Sequence, residues 1–249
     1  MLKFKLKVYH ILIIIILLVF AYEYYLDSRG TLGSFINYFG FSYQGILGGR
    51  YWIFLTSIFL HADAQHIILN LIALFFFGSV IEETLGWKKL ILIFIATGIV
   101  GNLFVLAASY FNLMSIATTA GIPIVTIGAS AAIFGLLGTA MLVKPFEFVF
   151  YPYLIPVPLI LVAFIFALFN VTALIYTIAT NTHSEISFIS HIGGLVAGMA
   201  FGFKEEGKKR SALVIMFLLF LIFLTPFIIV LFKYLEIVNY INIFSSVFK

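Results

Sequence analysis

Residues 127–143 read IGASAAIFGLLGTAMLV, an apolar run that holds no charged side chain and one serine. Such a run suits a membrane-spanning helix. The whole chain of 249 residues is 63% hydrophobic and only 10% charged, whereas a soluble domain has about 45–50% apolar and about 25% charged residues. So little polar surface cannot cover a globule in water, which excludes a soluble cytosolic or secreted enzyme.

Further apolar segments lie on both sides of this run. A spanning helix needs about 20 apolar residues, and the alternating segments of an outer-membrane barrel are absent from the sequence. We therefore predict an all-α polytopic membrane protein that forms one membrane domain over residues 1–249, with a six-span core in 1–204 and a cytoplasmic loop and seventh span in 205–249. The second and fourth spans are predicted to be short. The predicted spans are 8–26, 66–81, 90–111, 127–143, 155–179, 186–203 and 212–235.

The basic residues indicate the orientation of these spans. With a cytoplasmic N-terminus, ten of the 14 Lys and Arg residues fall on the inner side, as the positive-inside rule requires. The net charge of +4 lies beside apolar segments, a pattern of membrane topology and not of a nucleic-acid surface. The first run lacks a small-residue cleavage site, so we predict a retained span and not a signal peptide.

The predicted outer loop, residues 27–64, is too long for a plain connector and is rich in aromatic residues. Aromatic rings favour the lipid interface, so we expect this loop to be embedded in the outer leaflet as a lid or brace. The sequence contains no cysteine, which excludes thiolate catalysis and cysteine metal sites.

Polar residues inside the predicted spans are the main functional signal, because such groups are costly in lipid. His66 and Asn70 are four residues apart on one face of the second span, Ser130 lies just inside the fourth, and His191 lies about one turn into the sixth. Those three spans run in the same direction in the predicted topology. All four residues are therefore expected at a similar depth below the outer surface.

This set of residue types suits acyl transfer. A serine needs a nearby base to act as a nucleophile, and His191 is the candidate for Ser130. His66, Asn70 and the unpaired Ser130 N–H could donate to a developing oxyanion. No carboxylate lies at matching depth, since Asp63 is in the loop and Glu82 near the opposite face, so a Ser–His dyad is favoured over a triad.

Each of these residues alone also has an ordinary structural explanation. A serine in a membrane helix commonly bonds to its own turn, a buried histidine commonly joins two helices, and a His–Asn pair can clamp neighbouring spans. It is their shared depth that favours a site. Gly194, Gly198 and Gly202 lie at helical spacing after His191, and small residues let helices approach closely enough for a direct Ser–His bond.

With these residues in this order, the sequence resembles the rhomboid family of intramembrane serine proteases. The matching motifs are HxxxN at residues 66–70, GAS at 128–130 and HxxGxxxG at 191–198, supported by GRYW at 49–52, His61 and GxxxExxxG at 78–86. The resemblance covers residues 50–202, and the order of the motifs is specific. It implies a six-helix rhomboid-like bundle with a seventh C-terminal helix.

The resemblance also implies roles for individual residues. Ser130 would be the nucleophile and His191 the general base, with His66 and Asn70 lining the oxyanion hole. Phe134 would pack against the histidine, while Gly128, Gly194 and Gly198 would support the geometry. Arg50, His61 and Glu82 would be structural. Ala131 stands where the family usually has glycine, and its methyl group either crowds the oxyanion site or is absorbed by a backbone shift.

The function predicted from the sequence is an intramembrane serine endopeptidase in the plasma membrane of a prokaryote. Its partners would be transmembrane protein substrates and the lipid bilayer, with no metal, cofactor, nucleotide or nucleic acid, and residues 180–186 would cap its water-filled cavity. One alternative is a rhomboid-like protein that binds transmembrane helices without cutting them. Another is a small transporter that uses the midspan amides Asn102 and Asn170, which predicts helices broken at mid-membrane.

Overall fold

A computed structural model describes residues 6–111, 125–149, 156–180 and 188–206, with the side chains of 176–180 and 206 excluded. Within these ranges the chain is helical apart from a short antiparallel pair, β1 (Phe148–Val149) and β2 (Val157–Pro158). The predicted seventh span and the predicted cap at 180–186 lie almost wholly outside the described residues. The helices are α1 (Val8–Ser28), α2 (Leu32–Phe39), α3 (Tyr43–Leu47), α4 (Ile53–Thr56) followed by a 3₁₀ turn (Ser57–Phe59), α5 (Ala64–Leu85), α6 (Trp87–Tyr110), α7 (Ser130–Val143), α8 (Leu159–Thr180) and α9 (Phe188–Glu206).

The six longer helices coincide with the first six predicted spans. Among the described residues, α1, α5 and α6 are long and apolar enough to cross a membrane, and this supports an integral membrane protein. The second span is not short, contrary to the prediction, because polar residues extend it at both ends. The Asp63 side chain accepts the His66 N–H at 2.8 Å to begin α5, and the helix continues past the two glutamates to Gly86.

The fourth span begins at Ser130, three residues later than predicted. Before it, the chain is extended: Thr126 pairs with Phe41 of the predicted outer loop, and Gly128 has a φ of +124° that interrupts any helix. The 14 residues of α7 cover about 21 Å, less than the ~30 Å thickness of a hydrocarbon core. A helix of this length begins below one surface of the membrane when its other end is at the opposite surface.

Helix α7 lies at the centre of the bundle, with every residue after Ser130 buried. It packs against α5, α6, α8 and α9. The Thr139 hydroxyl donates to the Gly198 carbonyl at 2.8 Å and so joins α7 to α9, and the Thr97 hydroxyl lies 3.3 Å from the Ala132 carbonyl on the α6 side. Because both partners are backbone groups, the helices are held at close range.

Charged residues gather at the end of the bundle away from Ser130. Lys7 pairs with Glu83, and Lys89 pairs with Glu205, so that the ends of four helices are tied together. The Glu82 carboxylate accepts the N–H groups of Val8 and Tyr9 at 3.0 and 2.9 Å and thus caps α1. Carboxylates at a helix N-terminus interact favourably with the helix dipole.

The predicted outer loop is folded into α2, α3, α4 and the 3₁₀ turn. Phe41 is fully buried within it, whereas Tyr51 and Trp52 are exposed, as interfacial anchors would be. The Asn102 amide on α6 donates to the Phe54 carbonyl and the Ser57 hydroxyl at 3.0 and 2.9 Å. Hydrogen bonds at Phe54 and Ser57 therefore join this loop to helix α6.

Candidate active site

The central contact of the site joins α7 to α9. The Ser130 hydroxyl, at the first residue of α7, lies 2.7 Å from Nε2 of His191, in the first turn of α9. These residues are 61 positions apart in the chain. Both are partly exposed, so that the pair sits at the end of two helices and not in the middle of the core.

The imidazole of His191 is held by aromatic rings. Phe134, one turn after Ser130, stacks on its face with ring centroids 4.5 Å apart and planes 8° from parallel. Phe188 meets the same imidazole edge-on at 6.5 Å. The stacked ring limits rotation of the imidazole out of its plane.

The remaining ring nitrogen of His191 contacts a residue that the sequence does not predict to lie beside the dyad. Nδ1 lies 2.7 Å from the Oδ1 atom of Asn170 on α8, which is 97% buried. From the sequence, Asn170 has a predicted role only as a midspan amide of the transporter alternative. An amide within the apolar span before His191 was the signal in the sequence that could have pointed to Asn170. The sequence does not show which neighbour this amide faces, because that depends on the rotation of α8.

His66 borders the same space as Ser130. A β-carbon built on Gly128 would lie 2.8 Å from the His66 Nε2 and 3.7 Å from the Ser130 hydroxyl. The Ala62 N–H points to the His66 Nδ1 at 3.5 Å, so the neutral ring carries its proton on Nε2. An N–H donor of His66 therefore faces the vicinity of Ser130.

Asn70 lies one turn further along α5 and is 93% buried. Its Nδ2 has no hydrogen-bond partner among the described residues. Buried amides are almost always bonded, so an unpaired one needs an explanation. A donor that has no partner among these residues can donate to a ligand.

Three glycines make the close approach possible. A β-carbon on Gly194 would lie 2.0 Å from the Ala131 carbonyl oxygen, and one on Gly198 would lie 2.0 Å from the Gly135 carbonyl oxygen. At Gly128 the positive φ and the His66 ring both oppose any side chain. The Ala131 methyl group lies toward Gly101 of α6, where the missing side chain leaves it room.

Arg50, His61 and Glu82 lie outside the Ser–His contact. Arg50 donates to the Asn37 carbonyl at 2.7 Å within the outer loop, and Glu82 caps α1 at the opposite end of α5. The His61 N–H donates to the buried Glu23 carboxylate at 3.1 Å, a partner that the sequence did not predict. Burial, together with the nearby His66 imidazole, lowers the pKa of His61 from 6.5 to about 3.

The described residues contain no group of three or more His, Asp or Glu side chains placed to hold a metal ion. The arrangement they do contain is a hydroxyl bonded to an imidazole, with the His66 ring nearby and, one turn further along α5, the Asn70 Nδ2 without a partner among them. That arrangement suits nucleophilic attack on a carbonyl and stabilisation of the resulting oxyanion.

A family model described as the Rhomboid domain matches residues 48–206, well over half of the chain. The chain belongs to the rhomboid family. Rhomboid membership, with named proteases among the relatives, supports an intramembrane protease of the serine hydrolase class.

Similar proteins come from bacteria and plants. The Bacillus subtilis (strain 168) protein YdcA is 27% identical over 67% of this chain and 73% of its own length. Rhomboid protease AarA of Providencia stuartii is 30% identical over 70% of this chain and 62% of its own length. RHOMBOID-like protein 12, mitochondrial, of Arabidopsis thaliana is 29% identical, and the match spans 70% of this chain but 53% of that protein.

Proposed function

We propose that this rhomboid-family chain is an intramembrane serine endopeptidase in which Ser130 and His191 form the catalytic dyad. The observation that carries the proposal is the 2.7 Å contact between the Ser130 hydroxyl and the His191 Nε2 across two helices. A bonded base is what converts a serine hydroxyl into a nucleophile. Its substrates would be other membrane proteins, cut in or beside a transmembrane helix.

In the proposed reaction the Ser130 oxygen attacks the scissile carbonyl while its proton passes to the His191 Nε2. His191 then gives that proton to the leaving amine as the C–N bond breaks, which leaves an acyl group on Ser130. Water, deprotonated by His191, attacks the ester and releases the second product. The serine recovers its proton and the cycle closes.

The oxyanion would be stabilised by donors that surround Ser130. The His66 Nε2–H and the unpaired Asn70 amide lie on one face of α5, and the Ser130 N–H has no acceptor within the first turn of α7. Donors fixed in place before the reaction are worth the most, because they need no reorganisation when the charge develops.

The test is cleavage by the purified full chain in proteoliposomes, with a panel of single-span substrates and mass spectrometry of the products. Fluorophosphonate labelling of Ser130 provides a second readout that needs no substrate. We expect cleavage and labelling in the wild type and neither in Ser130→Ala or His191→Ala. Residues that act as one unit are not additive, so the double variant should be no worse than either single one.

The alternative of a non-proteolytic helix-binding protein makes a different forecast. It expects substrate capture by the wild type without cleavage and without labelling of Ser130. The transporter alternative finds little support, because α6 and α8 are continuous through Asn102 and Asn170, and both amides bond within the protein. The location in a prokaryotic plasma membrane stays a prediction, since the relatives include mitochondrial and chloroplastic proteins.

A further inference from the structure

Asn170 is bonded at both ends of its side-chain amide. Its Nδ2 donates to the Phe166 carbonyl one turn earlier on α8, at 2.8 Å, and its Oδ1 faces the His191 Nδ1 at 2.7 Å. A carbonyl oxygen can only accept, so the amide NH₂ must be the group that faces Phe166. The amide oxygen is thereby directed at the imidazole.

An amide oxygen can only accept as well, which fixes the proton on the ring. Nδ1 of His191 must carry a hydrogen to bond to Asn170, and the neutral imidazole then has a bare Nε2. That bare nitrogen is the one that the Ser130 hydroxyl needs as its acceptor. The hydrogen bonds therefore run in one direction, from Ser130 through His191 to Asn170.

We propose that Asn170 is the positioning residue of this site, which holds His191 in the Nδ1–H tautomer and aims its Nε2 at Ser130. The inference deepens the proposed protease function and rests on it for its catalytic meaning. In a Ser-His-Asp triad a carboxylate has this task. Here a neutral amide performs it, which suits a buried position where an ionised carboxylate is costly to desolvate.

The direction of the hydrogen bond argues that the contact acts on the imidazole and is more than packing between helices. Stacking on Phe134 restrains the plane of the ring. It does not oppose a 180° flip within that plane, which would put ring carbons in the places of Nδ1 and Nε2. The bond to Asn170 opposes both the flip and a change of tautomer. A flipped ring would present a C–H to the Ser130 hydroxyl, and the other tautomer would present an N–H, so either change removes the acceptor. Asn170 therefore orients the imidazole through a directed hydrogen bond, whereas Phe134 orients it through ring packing.

The experiment compares Asn170→Leu, which removes the acceptor, with Asn170→Asp, which keeps one in the same place. Thr139→Val is the matched control, because it also removes a buried hydrogen bond to α9, the one to the Gly198 carbonyl at 2.8 Å. The full chain is labelled with ¹⁵N-histidine in detergent, and the His191 ring signals are identified by their loss in His191→Gln. The rate of fluorophosphonate labelling at Ser130 is measured on the same samples.

We expect the wild type and Thr139→Val to show a protonated Nδ1 and a bare Nε2 on His191. Asn170→Leu should lose that signature, and its labelling rate should fall at least about 10- to 100-fold, the loss typical when the partner that orients a metal-binding histidine is removed. Asn170→Asp should keep the proton on Nδ1 and recover most of the rate. Thermal unfolding in detergent identifies any variant that is not folded. If Asn170→Leu does not fold, the tautomer and the labelling rate of Asn170→Asp decide whether the inference holds.

A wild-type tautomer and labelling rate in Asn170→Leu would overturn the inference, as would equal loss in the Leu, Asp and Thr139→Val variants. Failure of the proposed function has a different signature. In that case the wild type is not labelled at Ser130 and cleaves nothing, while the ring signals still report whether Asn170 sets the tautomer of His191.

Discussion

Gly194 of α9 lies directly on the backbone of Ala131 in α7: a β-carbon at Gly194 would lie 2.0 Å from the Ala131 carbonyl oxygen. This contact is one helical turn after His191 and one residue after Ser130. The short distance between the two helices at the Ser–His pair therefore requires that Gly194 has no side chain. No rotamer change can relieve such an overlap, because the opposing atom belongs to the backbone.

Gly194→Ala should accordingly force α7 and α9 apart. Overpacking of a core costs about 1–3 kcal/mol, and we expect the upper end or more because two helices must move. Thermal unfolding in detergent measures the loss, and labelling of Ser130 should fall with it. Gly33→Ala is the control, because Gly33 also lies in a helix, α2, and a β-carbon there would meet nothing within 4 Å. Equal melting temperatures for both variants would contradict the packing argument.

The sequence predicts the helices well because a chain in lipid must satisfy its backbone hydrogen bonds internally. An apolar run therefore has few alternatives to a helix. The Ser130 and His191 pair was also predictable, since both residues lie near the same ends of parallel spans. The exact ends of the helices were harder to predict. The start of α7, for example, depends on the positive φ of Gly128 and on the Phe41–Thr126 pairing.

Contacts that depend on helix rotation could not be read from the sequence. Asn170 could have faced lipid, its own turn or any neighbouring helix, and only the packing of α8 against α9 directs it at His191. Glu23 lies in an apolar span, and its bond to the His61 N–H joins residues 38 positions apart. Such pairs follow from tertiary packing and carry no periodic signal.

Asn70→Leu should separate function from stability. The buried Asn70 Nδ2 has no hydrogen-bond partner in the described part of the chain. An unsatisfied buried donor costs about 1–3 kcal/mol, so its removal should leave the melting temperature equal or higher. The loss of one oxyanion donor should lower kcat by about 10²–10³-fold.

Asn102→Leu is the matched control for Asn70→Leu. Its amide donates to the Phe54 carbonyl and the Ser57 hydroxyl, so this variant should be destabilised. If Asn70→Leu instead lowered stability as much as Asn102→Leu does, the Asn70 amide would be a structural group and not a free donor.

The stability of the protein should depend on His61 in acid. The pKa of His61 is about 3 in the folded protein against an ordinary 6.5, so the unfolded chain binds the extra proton between these values. Stability is therefore full above about pH 6.5 and declines as the pH falls toward 3. His61→Asn keeps a donor for the Phe59 carbonyl and removes this proton. The melting temperature of the variant should decline less steeply with acid than that of the wild type; identical slopes would refute the assignment.

Substrate cleavage should depend on how easily the substrate helix unwinds. Ser130 needs an extended peptide bond, whereas the carbonyls of a stable spanning helix are bonded internally. Gly, Pro or β-branched residues near the cut should therefore speed cleavage, and their replacement by Leu should slow it. A small residue on the N-terminal side of the cut should be preferred, because the packing around Ser130 is tight. Cleavage rates are measured on substrates with Leu in place of the helix-weakening residues and, separately, with Phe on the N-terminal side of the cut. If neither change alters the rate, cleavage is limited neither by unwinding of the substrate helix nor by a narrow pocket.

The methyl group of Ala131 lies toward α6 and is accommodated by Gly101. A β-carbon on Gly101 would lie 2.6 Å from the Ala131 β-carbon and 2.8 Å from the Ser190 carbonyl oxygen. Gly101→Ala should therefore destabilise the protein by about 1–3 kcal/mol. Gly101→Ala combined with Ala131→Gly should recover part of that loss, since one of the two overlaps disappears.

Unfolding of the two single variants and the double variant gives the coupling between these residues, which we expect at about 0.5–3 kcal/mol because they are in contact. Strict additivity would contradict the packing of Ala131 on Gly101. The same set of variants tests the effect on chemistry: with its methyl group directed at α6, Ala131→Gly alone should leave the labelling rate of Ser130 unchanged. A faster rate in Ala131→Gly would instead mean that the methyl group crowds the oxyanion site, because only relief at the reacting atoms accelerates attack without new contacts.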